Sequence, residues 1–155
     1  MHTRRDMLFR SAHVAAMLAA VGMLPGVAQA QASTYNAAAF SAKTMADLMK
    51  ALGGAAPTES KDVTITGPDI AENGAVVPIG ASTSLPGVKR LLMLVEKNPS
   101  MLIAIFDITD AIDANISTRV KMGQSSNVFA VAMMNDGKVL FAQKEVKVTL
   151  GGCGG

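Results

Sequence analysis

The sequence predicts an all-β domain, an immunoglobulin-like β-sandwich of about seven strands with one N-terminal helix and a flexible C-terminal arm. Three observations lead there. Beyond Lys61 the apolar residues recur with a period of two rather than 3.6. Turn signals interrupt that pattern every eight to twelve residues or so, and no helical pattern lies between them. Two nearly continuous apolar runs, residues 88–97 and 101–109, have the character of strands covered on both faces. A small closed barrel is the alternative arrangement of the same elements.

The chain of 155 residues opens on a segment of another kind. Arg4 and Arg5 precede a weakly apolar, alanine-rich run from Ala12 to Leu24, then Pro25-Gly26 and the small residues Ala28–Ala30. A basic start, a short apolar stretch and a small-residue cleavage point make an export signal, and the paired arginines point to the twin-arginine (Tat) route. Residues 1–30 are therefore expected to be removed, with cleavage after Ala30 or Ala32, and the product is expected in the periplasm. The apolar run falls short of the ~20 residues a membrane span needs.

The leader also carries the charge imbalance. Of 14 basic and 12 acidic residues, Arg4, Arg5, Arg10 and Asp6 lie in it, so what remains is neutral. A neutral domain without basic clusters offers nothing to nucleic acid. His2 and His13 are the chain's two histidines, and both lie in the leader. The mature chain thus lacks the histidine that Ser-His-Asp, Cys-His and the common zinc constellations require. No metal site and no resident cofactor are expected.

Residues 31–60 form a helix and a linker. From Asn36 to Leu52, Phe40, Met45, Leu48, Met49 and Leu52 fall at helical spacing, and Gly53-Gly54 supplies the stop. The segment 55–61 reads as a polar linker. Residues 61–150 form the sandwich. Residues 62–66 alternate Val63 and Ile65 with polar neighbours; Pro68 breaks the pattern and Asn73-Gly74 turns before Val76 and Val77. The segments 71–74 and 96–99 read as turns in which Asn and Gly supply positive φ. In 115–122, Ile116, Thr118, Val120 and Met122 face one way, Ser117, Arg119 and Lys121 the other. A hairpin over 126–150 turns at Asp136-Gly137 in a type I′ geometry, and its long second arm is expected to bend near Gln143–Lys144. Arg119 and Lys121 read as solvated. The mature chain's seven methionines read as packing rather than a copper site, and Asp107, Asp110 and Asp113 as turn formers.

The chemistry concentrates in residues 151–155, Gly-Gly-Cys-Gly-Gly, which hold the single cysteine, Cys153. Gly151, Gly152, Gly154 and Gly155 resist any one conformation and add no bulk. Five extended residues reach about 17 Å. A lone thiol in an oxidising compartment invites unwanted disulfides, so its retention calls for a purpose. With neither histidine nor a second cysteine beside it, the thiol keeps a pKa near or above about 8.5 and needs activation by whatever receives it. It is a handle for cargo rather than a catalyst. A thiol oxidoreductase would need a resolving cysteine or a depressed pKa. A thiocarboxylate carrier using the final glycines would need ATP-dependent activation and would leave Cys153 idle. The remaining alternative is a structural sandwich module that dimerises through a Cys153 disulfide.

The segments 71–78 (AENGAVVP), 96–99 (EKNP), 116–122 (ISTRVKM), 135–139 (NDGKV) and 146–155 (VKVTLGGCGG), with the twin-arginine leader, resemble the SoxY family, the sulfur-carrier subunits of bacterial thiosulfate oxidation. The resemblance implies a non-enzymatic β-sandwich paired with SoxZ as a heterodimer and exported with it. Cys153 would carry thiosulfate-derived sulfur covalently: joined by the cytochrome SoxAX, hydrolysed by SoxB and, where present, oxidised by the sulfane dehydrogenase SoxCD. The apolar 88–109 strands and the N-terminal helix are the two candidate surfaces for SoxZ.

Overall fold

The structure, a computed structural model, describes residues 36–149. The leader with Arg4 and Arg5, and the arm with Gly151, Gly152, Cys153, Gly154 and Gly155, lie outside the described residues.

The expected single helix is two. Helix α1 spans Ala37–Ser41 and α2 spans Met45–Leu52. Helical spacing predicts no break here, but two polar residues create one. The Asn36 side chain accepts a hydrogen bond from Ala39 N and caps α1. Ala42 then turns extended at ψ 135°, and Thr44 starts a new helix: its Oγ1 accepts from Asp47 N and donates to the Asp47 carboxylate. Thr44 thus supplies an N-cap that a continuing helix would not use. Gly53, at φ 69°, ends α2 as expected, and Gly54 N donates back to Met49 O.

The strands are β1 (Thr58–Glu59), β2 (Val63–Thr66), β3 (Ile70–Ala71), β4 (Val77–Thr83), β5 (Val88–Val95), β6 (Leu102–Asp107), β7 (Asn115–Val120), β8 (Ser126–Met134) and β9 (Val139–Val148). Seven have four residues or more; β1 and β3 are two-residue additions. The larger sheet runs β1-β9-β8-β5-β6, with β3 also on β9, and the smaller runs β2-β4-β7. The expected linker is thus partly a strand, since Thr58 and Glu59 pair in parallel with Leu140 and Phe141.

Three layers result. One face of the larger sheet packs on the smaller sheet through Leu91, Met93, Val128, Ala130 and Val146 against Val63, Val77, Ile79, Ala81 and Val120. Its other face packs on the helices, with Leu92, Leu94, Val131 and Met133 against Ala39, Leu48 and Met49. Both faces of β5 are therefore dry, which is why Leu91–Val95 is apolar without alternation. Burying Leu48 and Met49 contributes about 1.5–3 kcal/mol each and holds the helical layer down. The methionines do pack: Met49, Met93, Met101, Met122 and Met133 are buried.

β5 is an interior strand, so of the apolar 88–109 segment only β6 offers an edge. Its register slips at Ile103, where Leu94 pairs with Leu102 and Met93 with Ala104. β9 does not bend at Gln143–Lys144. It stays paired with β8 from Val139 to Val146, and what changes along it is the strand on its other side, β1 at its start and β3 at its end. The hairpin tip is also not type I′. Gly137 N donates to Met134 O, and Met134 N to Lys138 O. The result is a three-residue loop, Asn135–Gly137, with Gly137 alone at φ 88°. Among the described residues no helix is long and apolar enough to cross a membrane.

Candidate functional site

Cys153 stands four residues beyond Thr149, so the described part of its site is the mooring from which it departs. Strand β9 carries that mooring. Val146 pairs with Ser126 of β8, then Lys147 and Val148 pair in parallel with Ile70 and Ala71 of β3. Lys147 N donates to Asp69 O, and Thr149 N donates to Ala71 O, each at 3.0 Å. On the other side, Val148 N donates to Ser125 Oγ at 2.9 Å. The backbone is thus held on both flanks up to Thr149.

The 71–74 segment does more than turn. Asn73 closes a small loop, its side chain accepting from Ala75 N and its carbonyl from Val76 N. Gly74, however, is not among the positive-φ glycines, which in the described residues are Gly53, Gly87 and Gly137. The expected reason for a glycine there is wrong, and the structure supplies another. Gly74 O accepts from Met122 N at 2.7 Å, and a Cβ at position 74 would lie 2.4 Å from Met122 O and 2.8 Å from Val148 Cγ1. Close backbone approach, not backbone conformation, excludes a side chain. The 96–99 turn joins the same end, because Asn98 Nδ2 donates to Lys121 O at 2.7 Å.

Three segments distant in sequence, 71–74, 96–99 and 121–125, therefore meet around the last residues of β9. A further tie lies one turn of the pleat below. Lys144 Nζ donates to Gly67 O and pairs with Asp69 Oδ1 at 2.8 Å. Hydrogen bonding from Lys144, and then its charge, hold the Asp69 carboxyl below its ordinary value. Sequence reasoning did not find Ser125, Thr149 or the Asp69–Lys144 pair. None has a periodic or motif signal, since each acts on a partner far along the chain.

A cavity lies elsewhere. A space of about 510 Å³ opens between the loops lined by Leu85, Val88, Ile108, Asp110, Ile112 and Asn135. These residues sit at the hairpin end, beside the tip where Asn135 N donates to Gly87 O. The ten residues of β9 separate it from the mooring, which is about 30 Å at strand rise. Four extended residues reach about 14 Å, so Cys153 does not reach this cavity in its own molecule. Asp107 pairs with Arg90 at 2.8 Å at the end of β6, while Asp110 and Asp113 border the cavity. Among the described residues no group of three or more His, Cys, Asp or Glu side chains is placed to hold a metal ion.

A family model for the sulfur oxidation protein SoxY matches residues 48–153, from α2 through β9 to the cysteine itself. The chain belongs to the SoxY family. Among solved structures it is similar to the sulfur carrier protein SoxY from Chlorobium limicola f thiosulfatophilum, at 34% identity and a TM-score of 0.60, over 66% of this chain and 93% of that one. A single-residue variant of the superoxide reductase (neelaredoxin) from Ignicoccus hospitalis matches with a TM-score of 0.51 at 15% identity, over 56% of this chain and 79% of that one. At that identity the second likeness concerns the fold alone. No curated protein sequence matches the chain. The SoxY family is one of carriers rather than enzymes, and the sandwich has the SoxY fold.

Proposed function

We propose that this SoxY protein is the covalent sulfur carrier of periplasmic thiosulfate oxidation, with Cys153 as the point of attachment. The observation that carries the reading is the mooring: a strand end fixed on both sides as far as Thr149, followed after Leu150 by Gly-Gly-Cys-Gly-Gly. A fixed root and a slender tether suit a thiol that must enter other proteins' active sites, and the reach of about 14 Å directs it outward rather than to the chain's own cavity.

The chemistry suits a passive thiol. Joining the Cys153 thiol to thiosulfate forms a sulfur–sulfur bond and releases one proton and two electrons, the electrons passing to a cytochrome of the SoxAX type. Hydrolysis of the resulting S-thiosulfonate by a SoxB-type enzyme takes up one water and releases sulfate and two protons, leaving one sulfur on the cysteine. A SoxCD-type dehydrogenase would oxidise that sulfur where one exists. Thiol–disulfide chemistry makes each bond cleavable again.

Export through Arg4 and Arg5 as a folded complex fits a partner acquired before transport. That partner, a SoxZ-type subunit, would meet the free edge of β6, where Ile103, Ala104, Ile105 and Phe106 are half-buried and neither Lys nor Pro blunts the edge.

The test is Cys153→Ser in the complex with the client enzymes. Thiosulfate-dependent electron transfer and sulfate release should both stop while the fold is unchanged. Continued sulfate release would refute the reading. Intact mass of the periplasmic protein should show reductant-labile sulfur on Cys153; a symmetric disulfide alone, persisting after thiosulfate and the clients are added, would favour a dimerising module.

A further inference from the structure

We propose that Arg119 and Lys121 form a parking site on the protein's own body for the arm when Cys153 carries an oxidised, anionic sulfur group. The inference rests on the carrier reading in its choice of natural cargo, but its geometry stands on the described residues.

The outer face of the smaller sheet has an unusual charge pattern. Its register puts Thr64 beside Ser82, Thr66 beside Gly80, Ser117 on the other side of Gly80, and Arg119 beside Pro78. These residues alternate with the inward Val63, Ile79, Ala81 and Val120. Hydroxyls and one guanidinium therefore line a face to which the residues of β2, β4 and β7 contribute no carboxylate. Lys121, the next outward residue after the end of β7, adds a second cation about two residue rises beyond Arg119. Both are exposed, and neither side chain has an ion-pair or hydrogen-bond partner among the described residues. By contrast, Lys138, Lys144 and Arg90 each hold a carboxylate.

The pair sits at the arm's end of the sandwich. Met122, next to Lys121, donates from its backbone N to Gly74 O, and Gly74 is packed against both Met122 O and the Val148 side chain. One residue's width thus separates the root of the arm from the strand carrying the cations. Cys153 can lie up to about 14 Å from Thr149, enough to fold back over Lys121 and Arg119. Partly oxidised sulfur groups ending in a sulfonate are anions at neutral pH, and a guanidinium with neighbouring hydroxyls offers the planar donors such oxygens accept.

Exposed ion contacts of this kind are worth about 0.2–1 kcal/mol, which favours the docked arm by roughly 1.4- to 5-fold per contact and weakens with salt. A bias of that size shields the loaded sulfur–sulfur bond from stray thiols without withholding it from an enzyme. Loss of the sulfonate as sulfate removes the oxygens that accept from the guanidinium and hydroxyls, and so frees the arm.

The experiment uses the full mature complex and two alkylated forms of Cys153 that differ in charge at nearly equal size: carboxymethyl, an anion, and carbamidomethyl, neutral. Neither requires sulfur transfer, so the result is independent of whether the protein proves to be a carrier. At low salt, the backbone amide resonances of residues 117–122 should shift in the carboxymethyl form relative to the carbamidomethyl form. The difference should fade as salt is raised and vanish in Arg119→Gln/Lys121→Gln. Identical spectra for the two forms, or a difference that survives in the double variant, would overturn the proposal. With an S-thiosulfonate installed by tetrathionate, which leaves as thiosulfate when the thiolate attacks it, the double variant should lose its cargo to a small thiol two- to fivefold faster. A double variant that slows an enzyme's sulfate release while the alkylated spectra coincide would reassign the two cations to enzyme docking.

Discussion

The two ends of β9 are secured in opposite ways. At the hairpin end the turn closes on itself: Gly137 N to Met134 O, Met134 N to Lys138 O, Lys138 N to Asp136 Oδ1, and the Lys138–Asp136 pair at 2.9 Å, with Asn135 N to Gly87 O as its one tie to a distant loop among the hydrogen bonds named. At the arm's end the ties are remote. Thr149 meets Ala71, 78 positions away, and Lys144 meets Gly67, 77 positions away. A local turn can form early and reopen without disturbing the rest, whereas the mooring exists only once the sandwich has closed. The end that leads to Cys153 is therefore the end whose geometry depends on the whole fold.

The sharpest way to break this contrast is Gly74→Ala. Its Cβ would meet the Met122 carbonyl, a backbone atom that cannot swing aside, and overpacking of that kind costs about 1–3 kcal/mol. Amide exchange should rise first at Val148 and Thr149, measured against the unchanged hairpin tip. Gly137→Ala tests the other end. Nothing crowds position 137, so the cost is the left-handed conformation alone, about 1 kcal/mol in denaturant unfolding, with amide exchange at Val148 and Thr149 unaltered. Ser125→Ala removes one acceptor from Val148 N. It should cost about 0.5–1.5 kcal/mol and raise exchange at that amide without changing the hairpin.

The smallest effect is in pH. Asp69 and Asp136 are both held below the ordinary carboxylate value by lysines, so their stabilisation is present above that value and lost as pH falls through the depressed one. Lys138 is shifted upward by Asp136, so its share is present below the ordinary lysine value and lost as pH rises through the raised one. Both carboxylates are exposed and the effects slight. Acidification should nonetheless loosen both ends of β9 together, as resonances of Lys138 and Lys147 would report. Loosening of one end alone in acid would contradict the assignment.

The same contrast explains what could be read before the structure. The two-residue period of 115–122, the dry character of Leu91–Val95 and the stop at Gly53-Gly54 are local facts, and each holds. The failures lie where a local pattern has two physical causes. Gly74 looks like a turn glycine and is a contact glycine. Asp136-Gly137 looks like a two-residue turn, and one hydrogen bond more makes the loop three. Phe40 to Leu52 keeps helical spacing across a break that Thr44 makes. The parallel bridges to β1 and β3 have no sequence signature, because two residues do not make a pattern. The anchorage of β9 needed coordinates.

The direction of β9 has a mechanical consequence. In the proposed carrier role, an enzyme that draws the arm into its active site pulls along the strand, away from the hairpin. The hydrogen bonds to β8 lie across that pull, so they cannot open one after another as a peeling edge would. The tug must slide β9 past β8, with β3 gripping its far end, and many bonds share the load at once. Cargo can thus be pulled on hard at handover while the body that bears it keeps its shape.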